Sequence, residues 1–273
     1  MSCKIVADIG INHNGDVDLA KQMICMAKQA GCDYVKFQKR TVGLVYTQEE
    51  LDKPRESPWG TTNRHQKEGL EFTEAEYVDI DAFCNSIQIP WFASPWDRVS
   101  VEFLTQFEPP YIKVASAMLT NIEVLEKIRE TGIPVILSTG MSLQHELDQA
   151  LEYLGGQVEY ILACTSTYPT ATHEMNLRFI TTLKKQYPHW KIGFSNHHPG
   201  VFHMASTVVL GAEMIEFHIT PGRSFYGSDQ AASIEAEGVR KLVKYVRDTE
   251  IAMGHGDWTV FPNEIPIRDK LRK

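Results

Sequence analysis

No stretch of the 273-residue chain approaches the roughly 20 uninterrupted apolar residues that a membrane-spanning helix needs. The opening MSCKIVAD runs straight into a strand-like pattern. It has no apolar h-region and no small-residue cleavage site, so no secretory signal is expected. Basic residues are in the minority: 27 Lys and Arg face 35 Asp and Glu, a net charge of −8. That balance argues against a nucleic-acid binder, which shows a basic stripe, but leaves room for a local cationic pocket. The five cysteines (Cys3, Cys25, Cys32, Cys84 and Cys164) are odd in number and scattered, with no C-x-x-C. This suits reduced thiols in a cytoplasm better than a disulfide framework or a zinc knuckle. There is no G-x-G-x-x-G after the first strand, no G-x-S-x-G elbow, and no H-x-H ending the first strand. A dinucleotide fold, a serine hydrolase and a binuclear metallohydrolase all lose support. Disorder is excluded too, because 43% hydrophobic residues suffice for a core.

What remains is an alternation. Eight apolar runs read as strands: 4–11, 34–38, 91–96, 111–116, 134–139, 158–165, 191–196 and 214–219. Most are continuously apolar, as in VILST and VEYILACT, which suits strands buried on both faces of a parallel sheet. Helical stretches lie between them at 16–30, 73–86, 121–130, 143–154, 176–186, 202–210 and 234–252. The first places Leu19, Met23, Met26 and Ala27 on one face and stops at Gly31. The second opens on a capping-box pattern, Thr73 followed by Glu76. Eight βα units in about 250 residues predict a single-domain α/β protein spanning 1–273, a (β/α)8 TIM barrel. A long polar connection at 40–72 follows the second strand, on the face where such barrels work. It reads as a lid or substrate loop, or else as a variable surface loop.

Chemistry in this fold sits at the carboxyl ends of the strands. In chain order these ends carry Asp8, Asn12 and His13; Lys36 and Gln38; Ser94 and Asp97; Lys113 and Ser116; and Ser138 and Thr139. Thr165, Ser166 and Tyr168 follow, then Ser195, Asn196, His197 and His198, then Glu216 and His218. Polar groups at all eight ends are hard to explain by packing. Lys36 and Lys113 lie inside apolar strands, where an isolated ammonium is costly. Each needs a barrel carboxylate such as Asp8 or Glu216, an anionic ligand helped by Ser116, Ser138, Thr139 and Gly140, or a Schiff-base role. His197 and His218, on neighbouring strands with Glu216 or Asp229 nearby, form a candidate metal couple, with His198 as a competing ligand. His13 is open between binding, proton transfer and a backbone hydrogen bond. His65, His145, His173, His189, His203 and His255 read as solvated or structural. Cys164 reads as an inert buried thiol.

The strings ADIGINHNG (7–15), YVKFQ (34–38), FASPWD (92–97), IKVAS (112–116), LSTGM (137–141), CTSTYPT (164–170), GFSNH (193–197) and IEFHIT (215–220) resemble, in order and spacing, the N-acetylneuraminate (sialic acid) synthase family. The resemblance covers essentially the whole chain. It implies a barrel that condenses phosphoenolpyruvate with an aldose such as N-acetylmannosamine, using a divalent metal, Mn²⁺ or Mg²⁺. Carried over, it implies that Lys36 and Lys113 meet phosphoenolpyruvate with Ser116, Ser138 and Ser195. It gives His197 and His218 to the metal and turns Gln38, Tyr168 and Asp229 toward the sugar. Asp8, Asp229 or Glu216 would act as general base. The family usually has Glu where Asp8 stands, often Thr at Ser94, and Asn at Ser166. Full-length relatives continue into an antifreeze-like domain, and the tail 254–273 resembles the linker to it. The expectation is a barrel without that domain, a homodimer by analogy, with a separate antifreeze-like protein as a partner. Two alternatives stand beside the synthase: a non-catalytic phosphosugar-binding or regulatory barrel, and a Schiff-base aldolase.

Overall fold

The computed structural model describes residues 2–272. Eight parallel strands close into a barrel: β1 (Lys4–Gly10), β2 (Tyr34–Lys39), β3 (Trp91–Pro95), β4 (Ile112–Val114), β5 (Val135–Ser138), β6 (Val158–Cys164), β7 (Lys191–Asn196) and β8 (Met214–His218). Neighbours in sequence are neighbours in the barrel, and β8 closes on β1. The helices between them are α1 (Val17–Ala30), α2 (Glu74–Ser86), α3 (Arg98–Thr105), α4 (Ile122–Thr131), α5 (Gln144–Leu154), α6 (Phe179–Gln186), α7 (Phe202–Ser206) and α8 (Ala236–Ala252). This is the TIM barrel expected from the alternation.

Local chemistry sets the element ends. Asp16 caps α1 by accepting from the Leu19 amide, and Gly31, at φ 89°, ends it in the left-handed region where a side chain would be strained. The buried face of α1 is Ala20, Met23, Ile24 and Ala27, with Leu19 and Met26 only flanking it. The Thr73–Glu76 capping box is present at α2. Helix α3 has no counterpart in the sequence reading; Asp97 caps it through the Ser100 amide, and Val101 and Leu104 anchor it. Helix α7 is shorter than the 202–210 stretch, which dissolves into turns after Ser206.

The connection 40–72 is an ordered excursion rather than a bare loop. It holds two short helices (Val42–Val45 and Gln48–Asp52), a hairpin (Pro54–Ser57 with Gly60–Thr62) and a third helix, Asn63–Leu70. Its far end is fastened to the loop after β8: the Tyr226 hydroxyl donates to the Glu56 carbonyl at 3.2 Å, and Trp59 meets the Tyr226 ring edge-on.

The barrel interior is layered. An apolar floor of Val6, Phe92, Tyr111, Ile136, Tyr160, Leu162 and Met214 fills it. Strand side chains alternate, so the residue two places on points to the same side. Those residues are Asp8, Ser94, Lys113, Ser138, Cys164 and Glu216. Thus one layer above the floor the interior turns polar, at the carboxyl ends of the strands. The outward residues, among them Ile5, Ala7, Val35, Phe37, Leu137, Ile161 and Phe217, pack against the helices. No helix among the described residues is long and apolar enough to cross a membrane.

Candidate active site

The polar layer opens into a cavity of about 170 Å³. Its wall includes Asp8, Lys36, Gln38, Ser94, Lys113, Ser116, Ser138, Ser166, Tyr168, Ser195, His197, Glu216 and His218. Register explains the gathering. Asp8 sits level with Lys36 on one neighbour and His218 on the other, Gln38 is level with Ser94, and Glu216 is level with Ser195.

Charge is arranged across the cavity floor. Lys36 Nζ lies 2.6 Å from Asp8 Oδ2 and 3.7 Å from Glu216 Oε1, and donates to Ser94 Oγ at 3.3 Å. Burial opposes its charge, but Asp8 and Glu216 outweigh that and hold the ammonium above the ordinary lysine range. Lys113 donates to Ser138 Oγ at 2.6 Å and to the Val114 carbonyl at 3.1 Å, with Glu216 Oε1 at 3.9 Å. Its balance goes the other way: burial and the nearby Lys36 charge depress its pKa, and Glu216 only partly compensates. One carboxylate oxygen is thus shared by two ammonium groups, while Asp8 Oδ1 and Glu216 Oε2 are buried with no protein partner. Buried acceptors left unmet are costly, so these oxygens are free to receive a proton or hydroxyl from a ligand.

Gly140 completes the Lys113 side. Its amide donates to Ser116 Oγ at 3.1 Å, and a Cβ there would lie 2.2 Å from Ser166 Oγ and 2.7 Å from Ser116 Oγ. The missing side chain leaves a cradle of hydroxyls beside an ammonium, a donor set suited to a small oxyanion.

Two imidazoles face each other on the opposite wall, ring centroids 5.5 Å apart, with the Tyr168 ring 4.0 Å from His197. His197 Nδ1 donates to the Thr165 carbonyl at 2.7 Å, which leaves Nε2 as its free lone pair. His218 Nε2 is 3.5 Å from Asp8 Oδ2, and its Nδ1 is buried without a partner. An orphaned ring nitrogen beside a second oriented imidazole fits a divalent cation. Among the described residues no group of three His, Cys, Asp or Glu side chains forms a metal cluster. His197 and His218 are the two side chains that would hold such a cation.

Several polar strand-end residues do not join the mouth. Asn12 donates to the Ile219 carbonyl and to Ser233 Oγ, both at 2.8 Å. Asp97 caps α3, and Thr139 Oγ1 donates to the Leu162 carbonyl at 3.1 Å. His13 stacks on Phe72 and accepts from the Gly15 amide at 3.0 Å, so the backbone reading is the one realised. His198 turns away, toward Thr172 Oγ1 at 3.2 Å. The alternation that places Ser195 inward also places His197 inward and His198 outward, a signal the sequence contains. Asp229 is outside the cavity wall, half-buried on the loop after β8, although its charge reaches Lys36 and Tyr168.

Cys164 corrects the inert-thiol reading. It lines the cavity, with Sγ 3.7 Å from Ser116 Oγ, 3.9 Å from Ser166 Oγ and 4.0 Å from His197 Nδ1. Burial would raise the thiol, but His197, Ser116 and Lys113 bring it down to about 7. Its place above inward Leu162 was the overlooked signal. Trp96 and Met141 also line the cavity and were not anticipated.

Residues 23–258 match the model of the NeuB family. N-acetylneuraminate-9-phosphate synthase of Homo sapiens is 36% identical over 275 residues, covering 99% of this chain and 77% of that protein. N,N'-diacetyllegionaminic acid synthase of Legionella pneumophila is 32% identical, covering 100% and 79%. Among solved structures, the N-acetylneuraminic acid synthetase of Leptospira borgpetersenii superposes with a TM-score of 0.85 at 29% identity, over 100% of this chain and 93% of that one.

Proposed function

The chain belongs to the NeuB family and is a phosphoenolpyruvate-dependent sugar-acid synthase, and from that premise we propose how its own residues divide the reaction. Phosphoenolpyruvate lies with its phosphate in the cradle of Ser116, Ser138 and the Gly140 backbone, against Lys113, and with its carboxylate toward Lys36 and Ser195. The observation that carries this reading is that two buried ammonium groups and one glycine-made hydroxyl cradle open onto a single cavity.

The acceptor aldose lies above it, between Gln38, Tyr168 and Asp229. His197 and His218 would hold a divalent cation, Mn²⁺ or Mg²⁺, which when bound supplies Lewis-acid polarisation of a carbonyl. C3 of the enol attacks the aldehyde carbon, and positive charge develops at C2. Asp8 stands beside that centre, and its partnerless Oδ1 receives the proton of the water that adds to C2. Glu216 holds both lysines in place and offers Oε2 as a second acceptor. The C2–O bond to phosphate then breaks, leaving a 2-keto sugar acid and inorganic phosphate.

The test is phosphate release from phosphoenolpyruvate by the purified chain with Mn²⁺ and a panel of hexosamine-derived aldoses. Release that depends on both aldose and metal, with a keto acid formed in equal amount, is the expected result. Folded protein that gives none with any aldose contradicts the reading.

A further inference from the structure

Asp229 stands outside the cavity wall, on the loop between β8 and α8, so its place over the mouth is only as fixed as that loop. The far side of the loop is well held. The Asp229 carbonyl accepts from Ser233 Oγ at 2.6 Å, and Ser233 Oγ accepts from Asn12 at 2.8 Å. Gln230, 1% exposed, donates to the Asn12 carbonyl at 3.4 Å. The near side is different. Pro221, Arg223, Ser224, Phe225 and Ser228 are all exposed, and Gly227, at φ 144°, adds a joint that a side chain would stiffen.

Tyr226 is the exception in that stretch. Its hydroxyl donates to the Glu56 carbonyl at 3.2 Å and accepts from Arg55 Nε at 3.4 Å. Its ring meets Trp59 edge-on, with centroids 5.9 Å apart. Among the described residues no other side chain of 221–228 hydrogen-bonds to the excursion. The anchor on the excursion side is firm. Trp59 lies so close over Gly69 that a Cβ there would be 2.2 Å from its ring, and a Cβ on Gly15 would be 2.0 Å from the Gly69 carbonyl oxygen. Gly15 follows β1, which stands between β8 and β2 in the barrel. The loops after β8, β1 and β2 therefore meet over the end of the strand that carries Asp8. The excursion also begins at Arg40, whose guanidinium donates to Gln38 Oε1.

Resting on the synthase reading above, which turns Gln38 and Asp229 toward the acceptor, we propose that Tyr226 is a positioning residue for the condensation. By clasping the loop after β8 to the excursion it fixes Asp229 relative to Gln38. Tyr226 is not part of the cavity wall, so it acts through Asp229 and not on either substrate. Without the clasp, residues 221–228 are an exposed segment with a glycine joint beside Asp229. Binding the acceptor would then carry the cost of ordering that segment. The phosphoenolpyruvate seat is spared, because its cradle follows β4 and β5, on another side of the mouth.

The experiment uses the full chain, Mn²⁺, phosphoenolpyruvate and the aldose that turns over best. Tyr226→Phe keeps the ring against Trp59 and removes only the hydroxyl. It is expected to raise the KM for the aldose about three- to tenfold, the scale of one hydrogen bond, with the Tm and the KM for phosphoenolpyruvate unchanged. In an Asp229→Asn background the same substitution is expected to change the aldose KM less than twofold, because the residue it acts through is already altered. An aldose KM that does not rise, a rise of both KM values together, or the same rise in both backgrounds overturns the proposal. Hydrogen exchange read by mass spectrometry separates the clasp from the reaction. Tyr226→Phe should speed exchange in 221–230 and 54–62 together, and leave α4 as it was. Faster exchange in both segments of a protein that turns over no aldose upholds the clasp and sinks the synthase reading alone. Unchanged exchange in both, in a protein that does turn over, removes the clasp and leaves the synthase reading standing.

Discussion

Lys36 Nζ rests 2.6 Å from Asp8 Oδ2, with each side chain at most 4% exposed. A pair this deep is held by mutual need rather than by net gain, because both charges have lost their water. Lys36→Met leaves Asp8 charged with only His218 beside it. The expected loss is about 3–5 kcal/mol in urea denaturation. Asp8→Asn should cost less, since Lys36 keeps Glu216 at 3.7 Å. The double variant should recover part of the Lys36→Met loss, which a double-mutant cycle reads directly. Additive losses would mean that the pair does not act as a unit.

Lys113 makes a prediction about alkaline pH. Its folded pKa is depressed by burial and by Lys36, so its charge is full at low pH and is lost before that of an ordinary lysine at about 10.4. Phosphoenolpyruvate affinity should hold near neutrality and fall as pH rises through that depressed value. Lys113→Met should bind roughly tenfold more weakly or worse at pH 7 and show a flattened alkaline limb. Calorimetry across pH 7–10 measures both; unchanged affinity would take Lys113 out of the anion site.

Gly140→Ala places a methyl in the cradle, 2.2 Å from Ser166 Oγ and 2.7 Å from Ser116 Oγ. Gly140 does not have a positive φ, so the backbone tolerates the change. The expected result is a Tm near that of the parent with a sharply raised KM for phosphoenolpyruvate. Gly10→Ala provides the contrast. There φ is +54° and the new Cβ would sit 3.0 Å from His218 Nδ1, so stability and metal affinity should fall together.

His13, which does not line the cavity, makes a prediction about acid stability. Burial against Phe72 lowers its pKa to about 3, against about 6.5 in an unfolded chain. Between those values the unfolded state binds the extra proton, so acidification from pH 6.5 toward 3 removes stability, by up to about 1.4 kcal/mol per pH unit from this group. His13→Leu should flatten that slope in denaturation curves at pH 4, 5 and 6. An unchanged slope would place the acid sensitivity elsewhere.

How much of this was legible follows from what a linear sequence encodes. The strands were legible to within two residues at each end, because continuous apolar runs mark strands buried on both faces. The inward set was half legible. Period-two alternation from Phe92, Tyr111 and Ile136 leads to Ser94, Lys113 and Ser138, and the same rule applied to Leu162 would have put Cys164 inside. The outward fate of Asn12, Asp97 and Thr139 depends on partners such as Ser233 and Leu162, which lie far away in sequence. The ordered excursion was hidden by its Pro54, Pro58 and Gly60, which read as loop while serving a hairpin held by Tyr226 from the other end of the chain.

The most direct test of the account is a crystal of this protein soaked with Mn²⁺ and phosphoenolpyruvate, with data collected at the manganese edge. The account predicts one anomalous peak between His197 and His218, and phosphate density bounded by Lys113, Ser116, Ser138 and the Gly140 amide. An anion bound elsewhere, or manganese away from the two imidazoles, would contradict it.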